Sequence, residues 1–338
     1  MGDEREEGMN PPAPVILLFG MPRSGTTWIG KIFDSHPDTL YRHEPDSYIP
    51  IGELPLLVSG EGGAYCEGIG RYVAELFHCR TPVVTTKRPL FRKSYLPWHR
   101  DLLYRASVYL SIGVGRVRRT IQLPTFDPLV GRAEEGITLV WKSIESLGRL
   151  GVISGCLDAC HGVHIIRHPC GYVSSILKGE EQARFFNRIR ASEGYRVFEK
   201  LLATETGRIY GLTVERLKAL TPLQRLAWRW VLFNEHALRE TASRENCMTL
   251  RYEDLCLDPE GVTRRMFQFC GLEWNPQTES FLRASTHREK GSYYGVVRDP
   301  RRAAFQWRER LSAEQIEQVR SVVEGSRLGA LYQDMEGE

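Results

Sequence analysis

Short apolar runs alternate with amphipathic stretches along the chain, and the alternation predicts strands and helices in turn. Val15-Ile16-Leu17-Leu18-Phe19 predicts the first strand. A Gly-bounded loop follows, then a helix from about Thr26 to Ser35. His36-Pro37 stops that helix, because proline lacks an N–H and restricts the residue before it. Further strands are predicted at Ile137–Trp141, Val163–Ile166 and Met248–Tyr252, with a short one at Pro82–Thr86. Helical patterns run from Ser146 to Cys160, from near Pro169, and from Pro222 to about Arg244, the last with Trp228, Trp230, Leu232 and Phe233 turned partly inward. Thr221-Pro222-Leu223-Gln224 supplies an N-cap, a first-position proline and a third-position glutamine. Asp258-Pro259 opens a helix to about Cys270, and Ser312 to Gln315 is a capping box with Leu311 and Ile316 as its hydrophobic staple.

Between these elements, residues 46–70 are rich in Gly and Pro and read as irregular. Residues 180–218 are dense in Arg and Glu and read as a solvated helical excursion, and residues 1–13 read as a disordered tail. Strands alternating with helices imply an α/β chain with a central, mainly parallel sheet flanked by helices. No internal repeat or low-complexity tract divides it. One domain over 14–335 is expected, with insertions at about 46–132 and 180–218 shaping an acceptor pocket. Trp98, Tyr104, Tyr109 and Phe126 suit either a pocket for a ring or sugar face, or the core.

Composition narrows this little. Of 338 residues, 42% are hydrophobic and 26% charged, as in ordinary globular chains. A net charge of +3 is too mild for nucleic acid but allows a local basic pocket. The eight cysteines include no CxxC pair and no zinc spacing, and several sit in apolar segments, so reduced thiols in an intracellular compartment are expected. The start, Met1 to Glu7, is acidic and lacks the basic and apolar regions of a signal peptide. No apolar run approaches the ~20 residues that span a bilayer. A soluble, cytoplasmic protein is the expectation.

The chemistry is concentrated in Gly20-Met21-Pro22-Arg23-Ser24-Gly25-Thr26-Thr27-Trp28. Two glycines five apart, between strand and helix, have the layout of a P-loop, so a P-loop-containing, NTPase-like three-layer fold is expected. Backbone N–H groups at such a helix start hold phosphate oxygens; Ser24, Thr26 and Thr27 add hydroxyls, and Arg23 adds a cationic fork. The lysine that reaches the β/γ-phosphates of a nucleoside triphosphate is replaced by Thr26.

Pro22-Arg23-Ser24-Gly25-Thr26-Thr27, followed by Trp28, resembles the 5′-phosphosulfate loop of sulfotransferases that use 3′-phosphoadenosine 5′-phosphosulfate (PAPS). The resemblance implies PAPS as sulfuryl donor, 3′-phosphoadenosine 5′-phosphate (PAP) as product and no required metal. It also implies a small-molecule or saccharide acceptor and no nucleic-acid partner. A second motif, Arg167-His168-Pro169 with Ser175 eight residues after the arginine, resembles the family's 3′-phosphate site, and Ser174 stands one position off register. His168 stands where the family often has Asp. Arg251-Tyr252-Glu253-Asp254-Leu255 resembles a segment whose Tyr contacts adenine. Arg288, Lys290 and Gly291, with Gln306-Trp307-Arg308, resemble the C-terminal basic loop and Trp-Arg segment, which implies further cations for the 3′-phosphate.

Transfer to a hydroxyl needs a proton acceptor in line with the donor. Cytosolic members of the family place a His two residues after a strand-end Lys, but Lys142-Ser143-Ile144 has none. Counted from His36-Pro37-Asp38, Glu44 matches the glutamate base of the carbohydrate and tyrosyl-protein enzymes. His43 is the second choice, since imidazole titrates near neutrality, and Glu145 the third. The resemblance implies that Lys142, at a strand end beside the site, stabilises the departing oxygen, a role that Arg23 would share. A P-loop kinase or NTPase requires a lysine at position 26 and a metal-holding carboxylate at a strand end; Thr26, Lys142 and Arg167 stand there instead. A non-catalytic nucleotide-binding module is the third class, and the joint presence of Glu44, Lys142, Arg167 and Ser175 weighs against it.

Overall fold

A computed structural model describes residues 13–60, 62–117, 123–129, 135–182, 189–286 and 299–332. The apolar runs become β1 (Val15–Gly20), β2 (Thr39–His43), β3 (Thr138–Ser143), β4 (Cys160–Ile166) and β5 (Cys247–Arg251). They form one sheet in the order β2-β3-β1-β4-β5, with every neighbouring pair parallel. Among the described residues the helices are α1 (Thr26–Ser35), α2 (Cys66–Phe77), α3 (Pro82–Thr85), α4 (Trp98–Val117), α5 (Leu150–Cys156), α6 (Pro169–Glu181), α7 (Tyr195–Leu202), α8 (Glu205–Ile209), α9 (Val214–Ala219), α10 (Pro222–Thr241), α11 (Tyr252–Leu257), α12 (Pro259–Phe269), α13 (Pro276–Thr286), α14 (Pro300–Phe305), α15 (Trp307–Arg310) and α16 (Ala313–Val323).

All six residues of β1 are buried, as a parallel strand covered on both faces requires. Its alternate side chains feed two cores. Val15, Leu17 and Phe19 join Leu139 and Trp141 beneath α2, α5, α6, α10 and α16. Ile16 and Leu18 join Val140, Val163 and Ile165 beneath α1, α12 and α13. The expected three-layer α/β fold is therefore present. Because β1 is central and its neighbours β3 and β4 lead away on opposite sides, a crevice for ligands opens at the C-terminal strand ends.

α1 spans the predicted Thr26–Ser35, and both capping boxes form, at Thr221/Gln224 and Ser312/Gln315. Asp258 caps α12 by accepting from the Gly261 N–H at 2.9 Å. The charged stretch 180–218 is helical where described, yet Phe198, Leu201 and Leu217 are fully buried in the core that includes α10.

Several expectations are corrected. Pro82–Thr86 is not a strand but α3, which Pro82 opens at its first position. The hydroxyls of Thr85 and Thr86 donate to the carbonyls of Thr81 and Pro82, 3.1 and 2.6 Å away, which reconciles these β-branched residues with a helical turn. The helix predicted to reach Cys160 ends at Cys156, where Leu157 turns extended and β4 takes Cys160. β2 and α4 were not predicted. In β2 the buried Arg42 donates to the carbonyls of Leu76 and Phe77, each 2.6 Å away, closing the end of α2. Trp98 and Tyr109 are exposed on α4 and so lie outside the core. The cysteines are not all free either. Cys66, first in α2, and Cys156, last in α5, form a disulfide. The tail expected at 1–13 lies outside the described residues except for Ala13.

Candidate active site

The site assembles from the residues that end or follow the five strands. After β1, Gly20 lets the chain turn closely past β4: a Cβ there would lie 2.7 Å from the Ile165 carbonyl oxygen. Arg23 (φ 73°) and Gly25 (φ 85°) are left-handed with Ser24 between them. Such alternation curls successive N–H groups into a concavity that suits an anion. The Trp28 and Ile29 amides both bond back to the Gly25 carbonyl, at 3.0 and 3.3 Å, so α1 starts directly on the loop. Ser24 and Thr26 are buried against it.

After β4, Arg167 reaches the same loop. Its Nη1 donates to the Arg23 carbonyl (2.9 Å) and its Nη2 to the Ala303 carbonyl of α14 (2.8 Å). Its buried Nε has no hydrogen-bond partner among the described residues. On α6, Ser175 accepts from Arg23 Nε at 2.9 Å, which favours Ser175 over Ser174 as the residue facing the loop. A left-handed loop, two arginines, a hydroxyl and an orphaned buried guanidinium donor fit a ligand with more than one phosphate-like group.

His168 replaces the expected Asp and takes over a capping role. Its Nδ1 accepts from the Cys170 N–H at 3.2 Å at the start of α6. Burial, with Arg167 next, pushes the imidazole down to about 3, so it stays neutral and able to accept. It stacks on Trp307, ring centroids 4.4 Å apart. After β5, the Tyr252 ring packs under the loop: a Cβ on Gly25 would lie 2.3 Å from it, and the Arg167 guanidinium sits 4.8 Å above it. Trp28 meets the same ring edge-on at 6.4 Å and donates to the Ser285 hydroxyl at 3.1 Å. Glu253 is fully buried, accepts from the His168 N–H at 3.1 Å, and is pushed up to about 7 by burial. Arg288, Lys290 and Gly291 lie outside the described residues.

On the other side of the loop, Glu44 follows β2 with φ 50°. The ladder register sets Lys142 opposite His43 and Leu18, and the Glu44 N–H continues the ladder to the Lys142 carbonyl at 2.8 Å. The Glu44 carboxylate pairs with the Lys142 ammonium, which is almost wholly buried. Burial lowers the lysine and Glu44 holds it up. His43 lies beside the pair, Nε2 3.8 Å from the carboxylate, with Nδ1 within 2.8 Å of the Tyr41 hydroxyl. Burial, then Lys142, Lys87 and Lys31, holds His43 well below its usual range. Sequence reasoning missed Asp46. Its carboxylate accepts from the Ser143 and Ser146 hydroxyls, each at 2.5 Å, and from Trp141 Nε1 at 3.3 Å, fixing the Glu44–Asp46 turn to the end of β3. The signal available was the pair of hydroxyls flanking Glu145.

A family model described as "Sulfotransferase family" matches residues 182–276. Carbohydrate sulfotransferase 5 of Mus musculus is 23% identical over 341 residues, covering 92% of this chain and 78% of that protein. Carbohydrate sulfotransferase 2 of Homo sapiens is 37% identical over 345 residues, covering 94% of this chain and 63% of that protein. The chain belongs to the sulfotransferase family. The sulfotransferase domain from the Synechococcus PCC 7002 olefin synthase superposes with a TM-score of 0.43 at 14% identity, covering 95% of this chain and 98% of that one. This sulfotransferase is an enzyme of sulfuryl transfer. The expected cytoplasmic location does not stand, because the carbohydrate sulfotransferases it matches are Golgi membrane proteins. Nor does the premise of wholly reduced cysteines hold, given the Cys66–Cys156 bond. Among the described residues no helix is long and apolar enough to cross a membrane.

Proposed function

We propose that this sulfotransferase moves the sulfuryl group of PAPS to a saccharide hydroxyl, with residues 14–335 acting as one catalytic unit. The observation that carries the donor assignment is the joining of loop and α6 into one anion-binding surface. Arg23 bonds Ser175 at 2.9 Å, and Arg167 bonds the Arg23 carbonyl at 2.9 Å. The loop, with Ser24, Gly25, Thr26, Thr27 and Trp28, holds the 5′-phosphosulfate. Arg167 and Ser175 hold the 3′-phosphate, and Tyr252 faces the adenine end. The matched carbohydrate sulfotransferases support a sugar as acceptor.

Glu44 removes the acceptor proton while the acceptor oxygen bonds to sulfur. The bond from sulfur to the 5′-phosphate oxygen breaks, and its electrons stay on PAP. Lys142 and Arg23 stabilise that departing oxygen. The ion pair of Glu44 with Lys142 supports this division, because it sets the proton acceptor and a cation side by side at the ends of β2 and β3. His43, neutral and tied to Tyr41, serves as a neighbour rather than the base.

Calorimetric titration of the protein with PAP, with ATP plus Mg²⁺, and with 5′-AMP tests the donor. Tight binding of PAP alone is expected, followed by labelled sulfate transfer from PAPS to saccharides. A preference for ATP would overturn the proposal.

A further inference from the structure

The outward face of α4 takes no part in the site. Trp98, Leu102 and Tyr109, spaced four and seven apart, lie along one line of the helix, and Leu103, Leu110 and Val117, spaced seven apart, along the next. All six are exposed, from 54% at Leu103 to 84% at Val117. The opposite face is the one that packs: Val108 and Ser111 are buried, and Tyr104 donates to the Thr85 carbonyl of α3 at 3.0 Å. A contiguous apolar surface on a helix this well anchored marks an interaction site.

Charge selects the occupant. From Lys87 to Arg105 the sequence carries six lysines and arginines and one acid, Asp101, which Arg105 pairs at 2.8 Å, while Lys93 turns inward to Asp34 at 3.0 Å. Arg88 and Arg92, in the segment leading into α4, and His99 within it, are exposed. A second copy packed with its α4 running parallel would press these cations against their own counterparts. An anionic surface complements them instead. Leucines with a Trp and a Tyr, flanked by basic residues, are the composition of a helix that lies in the headgroup region of a membrane.

We propose that α4 docks the protein onto anionic phospholipid, its apolar face entering the headgroup boundary and Arg88 and Arg92 meeting lipid phosphates. α4 packs on α3, and α3 packs on β2, the strand that leads into Glu44. Docking therefore fixes the orientation of that end of the sheet relative to the membrane.

Sedimentation of the full chain with phosphatidylglycerol/phosphatidylcholine vesicles, against phosphatidylcholine alone, tests this without relying on sulfuryl transfer. Binding to the anionic vesicles is expected, with at least a tenfold loss in the Leu102→Glu/Leu110→Glu variant and unchanged turnover of a soluble acceptor. Quenching by brominated lipid, present in the unmodified chain and lost in Trp98→Phe, checks the same contact without adding a charge. Absence of vesicle binding, or equal binding by the double variant, overturns the proposal. So does a dimer in sedimentation velocity that the double variant dissolves, since the face would then belong to a second copy.

Discussion

Arg23 donates from Nε to the Ser175 hydroxyl, 2.9 Å away, across 152 positions of sequence. The bond joins the loop after β1 to the middle of α6, and Arg167 locks the junction by holding the Arg23 carbonyl. Two motifs far apart in the chain thus share one surface. The left-handed backbone of Arg23 is part of the same arrangement, because it aims the side chain across the crevice. Backbone strain of this kind, about 1–3 kcal/mol, persists where surrounding contacts over-determine it.

Arg167 is expected to discriminate nucleotides by their 3′-phosphate. A hydrogen bond to a charged group is worth about 1.5–3 kcal/mol, or about 10- to 100-fold in affinity. Arg167→Ala should weaken PAP binding by that factor and 5′-AMP binding far less, measured by calorimetry. Equal losses for both would mean that the arginine only supports the loop through the Arg23 and Ala303 carbonyls.

Glu44→Gln should lower turnover by about 10²- to 10⁴-fold, the size of a general-base contribution, and leave PAP affinity unchanged. His43→Asn should cost much less. The imidazole is held neutral, and its Nδ1 is already engaged with Tyr41. Single-turnover rates on the two variants decide between them. A larger loss in His43→Asn would make the histidine the base.

The sheet and the loop were legible because their signals are contiguous. Residues 15–28 carry strand, turn and helix start in one stretch, and Arg167 with Ser175 fit within one helix of each other. What escaped depends on partners that the periodicity does not show. Arg42 breaks the apolar pattern of β2, and only the carbonyls of Leu76 and Phe77 explain its burial. α3 read as a strand because Val83, Val84, Thr85 and Thr86 are β-branched, while the hydroxyl bonds that settle its conformation leave no trace in periodicity. Cys66 and Cys156 are 90 residues apart, a spacing that names no pairing. Glu44 was found by counting from a motif, whereas its setting, paired with Lys142 beside the anchored Asp46, needed the fold.

Gly25 is constrained twice, by its positive φ and by the Tyr252 ring. Gly25→Ala should lower both the melting temperature and PAP affinity. In a Tyr252→Ala background the clash disappears and only the backbone penalty remains, about 1 kcal/mol or more. A double-mutant cycle on thermal stability should therefore be strongly non-additive. Additive losses would show that the ring does not press on the loop.

Glu253 and His168 give stability opposing pH dependences. Burial raises Glu253 from its ordinary 4.5 to about 7, so between those values the folded chain binds more protons than the unfolded one. Its contribution to stability falls as pH rises through that window, where a buried carboxyl must ionise. His168, lowered from 6.5 to about 3, does the reverse: the folded chain binds fewer protons there, and its contribution rises with pH over 3 to 6.5. Glu253→Gln keeps an oxygen to accept from the His168 N–H but cannot ionise. Melting temperatures of the variant and the parent should then diverge as pH is raised from 4.5 to 7, with the variant gaining. A constant offset across that range would mean that Glu253 stays ionised in the folded chain throughout, its burial compensated by the nearby Arg167 and Arg251.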